Sequence, residues 1–407
     1  MIFKNILKLI FNPRFLPQKL RNRKVLGIET SCDDTASAIV CENGQILGEH
    51  SISQQEVVLR YGGIMPTIAR DLHEINIEKV VDKTLQNANL TMNDVDAIAV
   101  TTKPGLIMSL MVGTKYAKHL SKKYKKPLLP IHHMEAHALT ARLVYKNIQY
   151  PFTTFLISGG HCLIAVVHSV NRYSLLGKSI DDAPGEAFDK LARRLKLHNL
   201  SKYRSLSGGA VVEDLAKNGN PLAFNIPEPL LQYPNCNFSF SGIKSYVTNI
   251  ISKEELKFDI LGDNILPNAD DICASFQYII TKHLCRRLQR ALEFVDLKKL
   301  LPDKNRILIV SGGAASNNYF RHAFKIICDE VGYKLFVPPP KFCTDNGIMI
   351  AWNGIEKLKT NIGIYNYTEL DSIYPMSQSE LGTDITNDVQ CANIKCKWIK
   401  LTELQTR

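Results

Sequence analysis

The chain has 407 residues, 45% of them apolar and 22% charged, which suits a globular protein with two cores and excludes a disordered or fibrous one. Its formal charge of +11 sits largely at one end: seven of the 50 Lys and Arg residues fall in 1–28, which hold no acid, leaving 43 basic against 39 acidic residues. Any hold on nucleic acid must therefore come from local patches of the body rather than from an overall basic field.

Residues 1–24 interleave cations with Ile2, Phe3, Ile6, Leu7, Leu9, Ile10 and Phe11, the acid-free amphipathic pattern of a mitochondrial transit peptide. Its apolar runs, broken by Lys8, Pro13 and Arg14, are too short to span a bilayer, and nothing calls for a membrane partner. VLGIET (25–30) reads as a buried strand ended by the polar turn SCDDT, and 36–50 as two strands joined at Asn43–Gly44. A helix near 66–87, a strand at 96–102, a helix through 106–124 and a strand at 127–133 follow. Then the opening order returns: a strand and small-residue loop at 152–161, and a hairpin over 162–179. Two copies of strand, tight loop and hairpin imply a duplicated α/β unit with a cleft between the halves. Helices near 186–197 and 208–217 precede a long irregular stretch marked by Pro221, Pro227, Pro229 and Pro234. A helix over 269–295, a strand at 305–313, a helix from Asn317, a strand at 334–340 and a helix from about 345 complete the order.

His133 and His137 stand four apart, a spacing that puts both imidazoles on one helix face where they can clamp a metal ion. Glu135 lies about 200° round that helix from His133, so the zincin arrangement with its adjacent glutamate is absent. Asp345, just before a helix, can supply a third ligand, although an aspartate there serves equally as a cap. Ser31–Thr35 and three Ser-Gly-Gly loops, at 158–160, 207–209 and 311–313, suit an anion or nucleotide, and neither a P-loop nor a Rossmann fingerprint is present. Asp182, Glu186 and Asp189 fall at helical spacing, where they can meet ribose or metal, or simply complement the helix start. Three cationic clusters offer contacts to RNA phosphates: Lys115 to Lys126, Arg193 to Lys196, and Arg286, Arg287 and Arg290. The ten cysteines are dispersed without a C-x-x-C pair, which argues against a thiolate zinc site.

Eight segments taken in order resemble the TsaD/Kae/Qri family of tRNA threonylcarbamoyladenosine transferases, its mitochondrial branch most of all. They are IETSCDDT (28–35), PGLIMSLMVG (104–113), HHMEAH (132–137), LISGGH (156–161), SIDDAPGEAFDK (179–190), FSFSGIKS (238–245), SGGAASN (311–317) and FCTDNGIMIAW (342–352). The resemblance implies an α/β actin-like ATPase (ASKHA) fold, with a first lobe over 25–131 completed by about 345–370, a second over 132–344, and a motif-free tail over 371–407. It implies one divalent metal, zinc or iron, on His133, His137 and Asp345. Substrate contacts fall to Leu156, Ile157, Ser158, Gly159, Gly160, Asp189, Gly209, Glu213, Ser316, Asn317 and Thr344. Lys103 departs from the pattern, standing where many members have a glycine before Pro-Gly-Leu.

The activity implied is transfer of threonylcarbamoyl from threonylcarbamoyl-adenylate to the exocyclic amine of the adenosine 3′ of the anticodon in ANN-reading mitochondrial tRNAs. It forms t6A and releases AMP, with Asp33 a candidate to orient the amine or take its proton. The partners implied are tRNA, a separate synthase that makes the adenylate, and a second copy in a homodimer; the compartment is the mitochondrial matrix. Two other readings remain: a zinc metallopeptidase, from H-x-x-x-H, and an actin-like ATPase or scaffold, from the glycine loops.

Overall fold

The computed structural model describes residues 22–405, so nearly all of the segment read as a transit peptide lies outside the described residues. KVLGIE forms β1 (Lys24–Glu29), buried along nearly its whole length. It pairs antiparallel with β2 (Asp34–Cys41), which turns through Asn43–Gly44 into β3 (Ile46–Ser53); Gly44, at φ +88°, takes the left-handed backbone that this turn requires. A short helix α1 (Gln55–Tyr61) and a long one, α2 (Pro66–Ala88), lead to β4 (Ala97–Lys103), α3 (Ile107–Tyr124) and β5 (Leu128–His132). β4 lies parallel to β1 and β5 parallel to β4, giving a sheet of order β3-β2-β1-β4-β5.

α4 (His133–Val144) begins on the residue after β5 and leads to a second sheet. Here β6 (Phe152–Ile157), β7 (Cys162–Ser169) and β8 (Arg172–Lys178) form an antiparallel meander. Four helices follow: α5 (Pro184–Arg194), α6 (Gly208–Ala216), α7 (Ser241–Lys257) and α8 (Ala269–Leu297). β9 (Ile307–Ser311), α9 (Asn318–Val331) and β10 (Lys334–Phe336) complete the unit, with β6, β9 and β10 mutually parallel. The order β8-β7-β6-β9-β10 repeats that of the first sheet strand for strand and direction for direction. The duplication read from two hairpins is thus a duplication of the whole sheet.

α10 (Gly347–Thr360) returns to the first sheet and lies almost wholly buried across it. Two glycines permit this: a Cβ on Gly27 would come within 2.3 Å of Ala351 N and Gly347 O, and one on Gly347 within 2.3 Å of the Ser37 carbonyl carbon. α4 and α10 pack together in a core that draws on both sheets.

Two segments differ from the sequence expectation. The stretch beyond Pro221 contains α7, which buries only Ile243, Val247 and Ile251 and has no cap from its own neighbours. Its cap comes from Asp181, whose carboxylate accepts from Phe240 N at 2.8 Å and from Ser239 and Ser241 hydroxyls at 2.6 and 2.7 Å. A cap from that far away leaves no local signature. The motif-free tail is also built in: β11 (Thr383–Asp384) joins β8 in parallel and α11 (Thr386–Ala392) follows. Leu370 and Ile373 sit in a first-lobe core, Leu401 and Leu404 in the second. Among the described residues no helix is long and apolar enough to cross a membrane.

Gly27→Ala is expected to destabilise the protein by about 2 kcal/mol or more, because α10 must lift off β1 to admit one methyl group. Urea unfolding read by circular dichroism checks this.

Candidate metal and nucleotide site

Because α4 starts directly on β5, His133 occupies its first position and His137 the next turn, both buried. His132 caps the helix, its Nδ1 accepting from Met134 N at 3.2 Å. The Nε2 atoms of His133 and His137 lie 3.2 Å apart, and Asp345 Oδ1 is 3.4 Å from the first and 3.0 Å from the second. Ligand atoms of the three residues lie within 4.8 Å of one another. The cap of α10 comes not from Asp345 but from Asn346, whose Oδ1 accepts from Met349 N at 2.9 Å. Asp345 is thereby released to the histidines. Two imidazole nitrogens and one carboxylate oxygen converging on a point form a donor set that fits a divalent ion such as zinc or iron.

Glu29, at the end of β1, completes the arrangement and carried no signal in the sequence beyond its place in IETSCDDT. Fully buried, its Oε2 faces His133 Nδ1 at 3.1 Å and accepts from the Thr101 hydroxyl at 2.5 Å, while Oε1 accepts from Ser31 N at 2.5 Å. Burial alone raises the Glu29 carboxyl, but the His133 charge more than offsets it and leaves the pKa below its ordinary value. Burial likewise opposes a charge on His133, and Asp345 and Glu29 together overcome it, holding the imidazole well above its usual pKa; Asp345 is held well below its own. A carboxylate on the far ring nitrogen orients a ligating histidine and raises its basicity. His161, whose ring centroid is 6.4 Å from that of His133, is driven the other way: burial, then the two histidines, lower it to about 4, so it is neutral beside them.

The turn after β1 adds acids. Burial and then Asp345 raise the Asp33 carboxyl above its ordinary range, and burial raises Asp34 to about 7. His73 on α2 props this turn, its ring meeting the Thr35 hydroxyl at 2.8 Å and the Cys32 carbonyl at 3.0 Å. Close approach to the turn comes from Gly105, where a Cβ would lie 2.6 Å from Ser31 O, and not from the Lys103 position. Lys103, partly buried, stands opposite His132 at a bulge between β4 and β5.

The second lobe faces this centre with loops at the ends of its strands. Leu156 and Ile157 are buried at the end of β6, and the loop closes on itself through Ser158 N to His161 O at 2.8 Å. Gly185 fits against Gly159 and Gly312 against Ile157, the latter at φ +98°; Gly208 fits against Asp189, each with no room for a Cβ. Gly159, Gly160, Gly209 and Gly313, by contrast, face open space. One set of glycines binds the loops together and the other leaves their backbone accessible to a ligand. Asp189 is raised by burial and partly restored by the Gly208 and Gly209 amides. Glu213 accepts from Asn318 N at 2.8 Å, and Asn317 caps α9 while its Nδ2 reaches Gln277 Oε1 at 3.1 Å. Ser316 donates to Gly313 O at 2.6 Å, and exposed Thr344 adjoins Asp345.

Several candidates from the sequence have other occupations. Asp182 pairs with Lys190 and Lys244, and Glu186 with Lys190, leaving Asp189 alone of that group on the loop surface. Arg287 and Arg290 are buried and donate to the carbonyls of Tyr233 and Asn235 at 2.8–3.0 Å, so they hold the irregular stretch in place instead of meeting RNA. Arg194 pairs with Glu255 at 2.6 Å, and Arg193 donates to Gly62 O. Lys115 and Lys123 on α3 remain exposed.

Glu29→Gln is expected to weaken divalent-metal affinity about 10- to 100-fold, since the amide no longer stabilises His133 in its ligating orientation. A metal-competition titration of the purified protein measures it.

Residues 45–352 match the family model described as TsaD: tRNA N6-adenosine threonylcarbamoyltransferase. The protein named mitochondrial tRNA N6-adenosine threonylcarbamoyltransferase in Danio rerio is 46% identical over 381 residues, covering 94% of each chain. The Homo sapiens protein of that name is 47% identical over 377 residues, covering 93% of this chain and 90% of its own. Among solved structures, full-length HypF in its phosphate- and nucleotide-bound form is similar in fold, with a TM-score of 0.50 at 11% identity over 84% of this chain and 48% of its own. The fold is the actin-like ATPase (ASKHA) fold, as its two equivalent sheets require.

Proposed function

We propose how this site works from one established premise: the chain belongs to the TsaD family, the tRNA N6-adenosine threonylcarbamoyltransferases. It is a mitochondrial acyltransferase, working in the matrix, that moves threonylcarbamoyl from threonylcarbamoyl-adenylate to N6 of the adenosine 3′ of the anticodon in ANN-reading tRNAs. The observation that carries this reading is the convergence of His133, His137 and Asp345 opposite glycine loops whose backbone lies open.

The reaction forms one N–C bond and breaks the bond between the carbonyl carbon and a phosphate oxygen; AMP leaves and the amine gives up a proton. The donor is already activated, so the chain need not supply a covalent nucleophile, and its work is to bind, orient and stabilise charge. His133, His137 and Asp345 would hold a divalent ion, which when bound would supply Lewis-acid polarisation of a donor oxygen and offset charge on the leaving phosphate. Glu29 keeps His133 in place for that duty. The amides of Gly159 and Gly160 and the open face of Gly209 meet the donor, Asp189 and Glu213 take the ribose, and Leu156, Ile157, Ser158, Ser316, Asn317 and Thr344 line the same surface. Asp33, its carboxyl raised by burial, orients the amine or accepts its proton. The adenylate comes from a separate synthase. The enzyme acts as a homodimer, and the half-exposed apolar residues Ile75, Ile107 and Met111 on α2 and α3 suit such an interface.

The peptidase reading has less support. Glu135, the acid within the motif, is ion-paired with Lys357 at 3.2 Å, and Glu29 serves His133, so neither is available to activate a water. A scaffold reading leaves the triad without a purpose.

Purified protein mixed with tRNA, threonine, bicarbonate, ATP and a source of the adenylate is expected to yield t6A on nucleoside analysis. His133→Ala and His137→Ala are each expected to lower the yield rate by about 100-fold or more. Full activity in both variants would remove the histidines from the reaction.

A further inference from the structure

α8 runs through the middle of the second lobe, and from Ile272 to Val295 every residue is buried except Tyr278, Lys282, Arg286 and Glu293. The first three recur at four-residue steps, so they form one strip along the helix. The C-terminal tail crosses this strip. Gln289 fastens it at one end, donating to Lys397 O at 2.9 Å and accepting from Ile399 N at 3.1 Å; Gln405 donates to the Tyr278 hydroxyl at 2.7 Å at the other. Between helix and tail lies a cavity of about 280 Å³ whose charged lining is Lys282, Arg286 and Lys400, with no acid among the lining residues. Trp398 closes its side, with the Arg286 and Arg290 guanidiniums 5.3 and 5.1 Å from the ring centroid. Buried Glu228, behind the strip, pairs with Arg286 at 2.7 Å and Lys282 at 3.6 Å and offsets only part of this charge. Lys395 and Lys397 extend the cationic edge along the exposed side of the tail.

The groove opens next to the donor loops. Tyr278 follows Gln277, the hydrogen-bond partner of Asn317, and the Tyr319 hydroxyl donates to Leu404 O at 2.8 Å. We propose that this groove and its lysine edge are a docking surface for the phosphate backbone of the tRNA, a role that rests on the transferase reading above. Cations spaced along an edge read phosphate spacing and not sequence. The surface steadies the body of the tRNA while its anticodon loop enters the cleft. It replaces the Arg286–Arg290 cluster as read from sequence: Arg287 and Arg290 are structural, and only Arg286 of the three faces the groove.

The test is filter binding of an unmodified tRNA transcript to the full-length protein between about 50 and 200 mM salt. The variant combines Lys282→Ala, Lys395→Ala, Lys397→Ala and Lys400→Ala. Its Kd is expected to rise about tenfold at the lower salt, with the salt slope shallower by about three. A control combining Lys79→Ala, Lys253→Ala and Lys304→Ala, exposed lysines elsewhere, is expected to keep the wild-type slope. An unchanged affinity and slope in the groove variant, or an equal loss in the control, overturns the proposal. Should the fourfold variant lose its circular dichroism spectrum, Lys395→Gln with Lys397→Gln replaces it, and the slope is then expected to fall by about two. Assaying t6A formation by the wild-type protein in parallel separates the two ideas. Absent t6A defeats the transferase reading; t6A with unchanged binding in the variant defeats the groove alone.

Discussion

Asp345 meets His137 across 208 residues of chain, and the contact depends on how closely α10 lies against the first sheet. Backbone packs on backbone there, at Gly27 and Gly347, with no side chain between. The helix axis is thereby fixed relative to β1, and β1 carries Glu29 at its end. Glu29, His133 and Asp345 are therefore positioned by one rigid stack, in which any side chain at residue 27 would separate the carboxylates from the imidazole they flank.

That stack also sets the electrostatics. Two carboxylates on opposite nitrogens of one buried ring favour a positive charge between them strongly enough to outweigh burial. A cation on His133 and His137 would take the place of the proton that otherwise satisfies this demand. The acids of the turn after β1 deepen the negative field, while neutral His161 faces the same centre without adding charge. α4 and α10 both begin here, and their N-terminal dipoles favour anionic groups.

Duplication supplies the other half of the site. Each sheet ends its first strand in a tight turn, but the first copy filled its turn with acids and a serine, the second with glycines. The first turn therefore brings carboxylates toward the histidine–aspartate cluster, and the second leaves glycine backbone open. The tail, which joins both lobes and covers α8, brings basic residues to the second lobe.

The sequence by itself determined the strands before the tail, the repeat, the histidine pair and the glycine loops, because each rests on residues close together in the chain: alternation, four-residue spacing, a turn dipeptide; which of those glycines stay open only packing decided. It left Asp345 undecided between cap and ligand, and that was settled by Asn346 taking the cap in the folded chain. It missed α7, whose cap arrives from Asp181, and Glu29, whose burial makes sense only beside His133. It also read Arg287 and Arg290 as a surface patch, since a helix buried all round by a distant tail and an irregular stretch looks locally like a solvated one. What tertiary structure alone decided was which polar groups already had partners, and hence which remained free to bind something else.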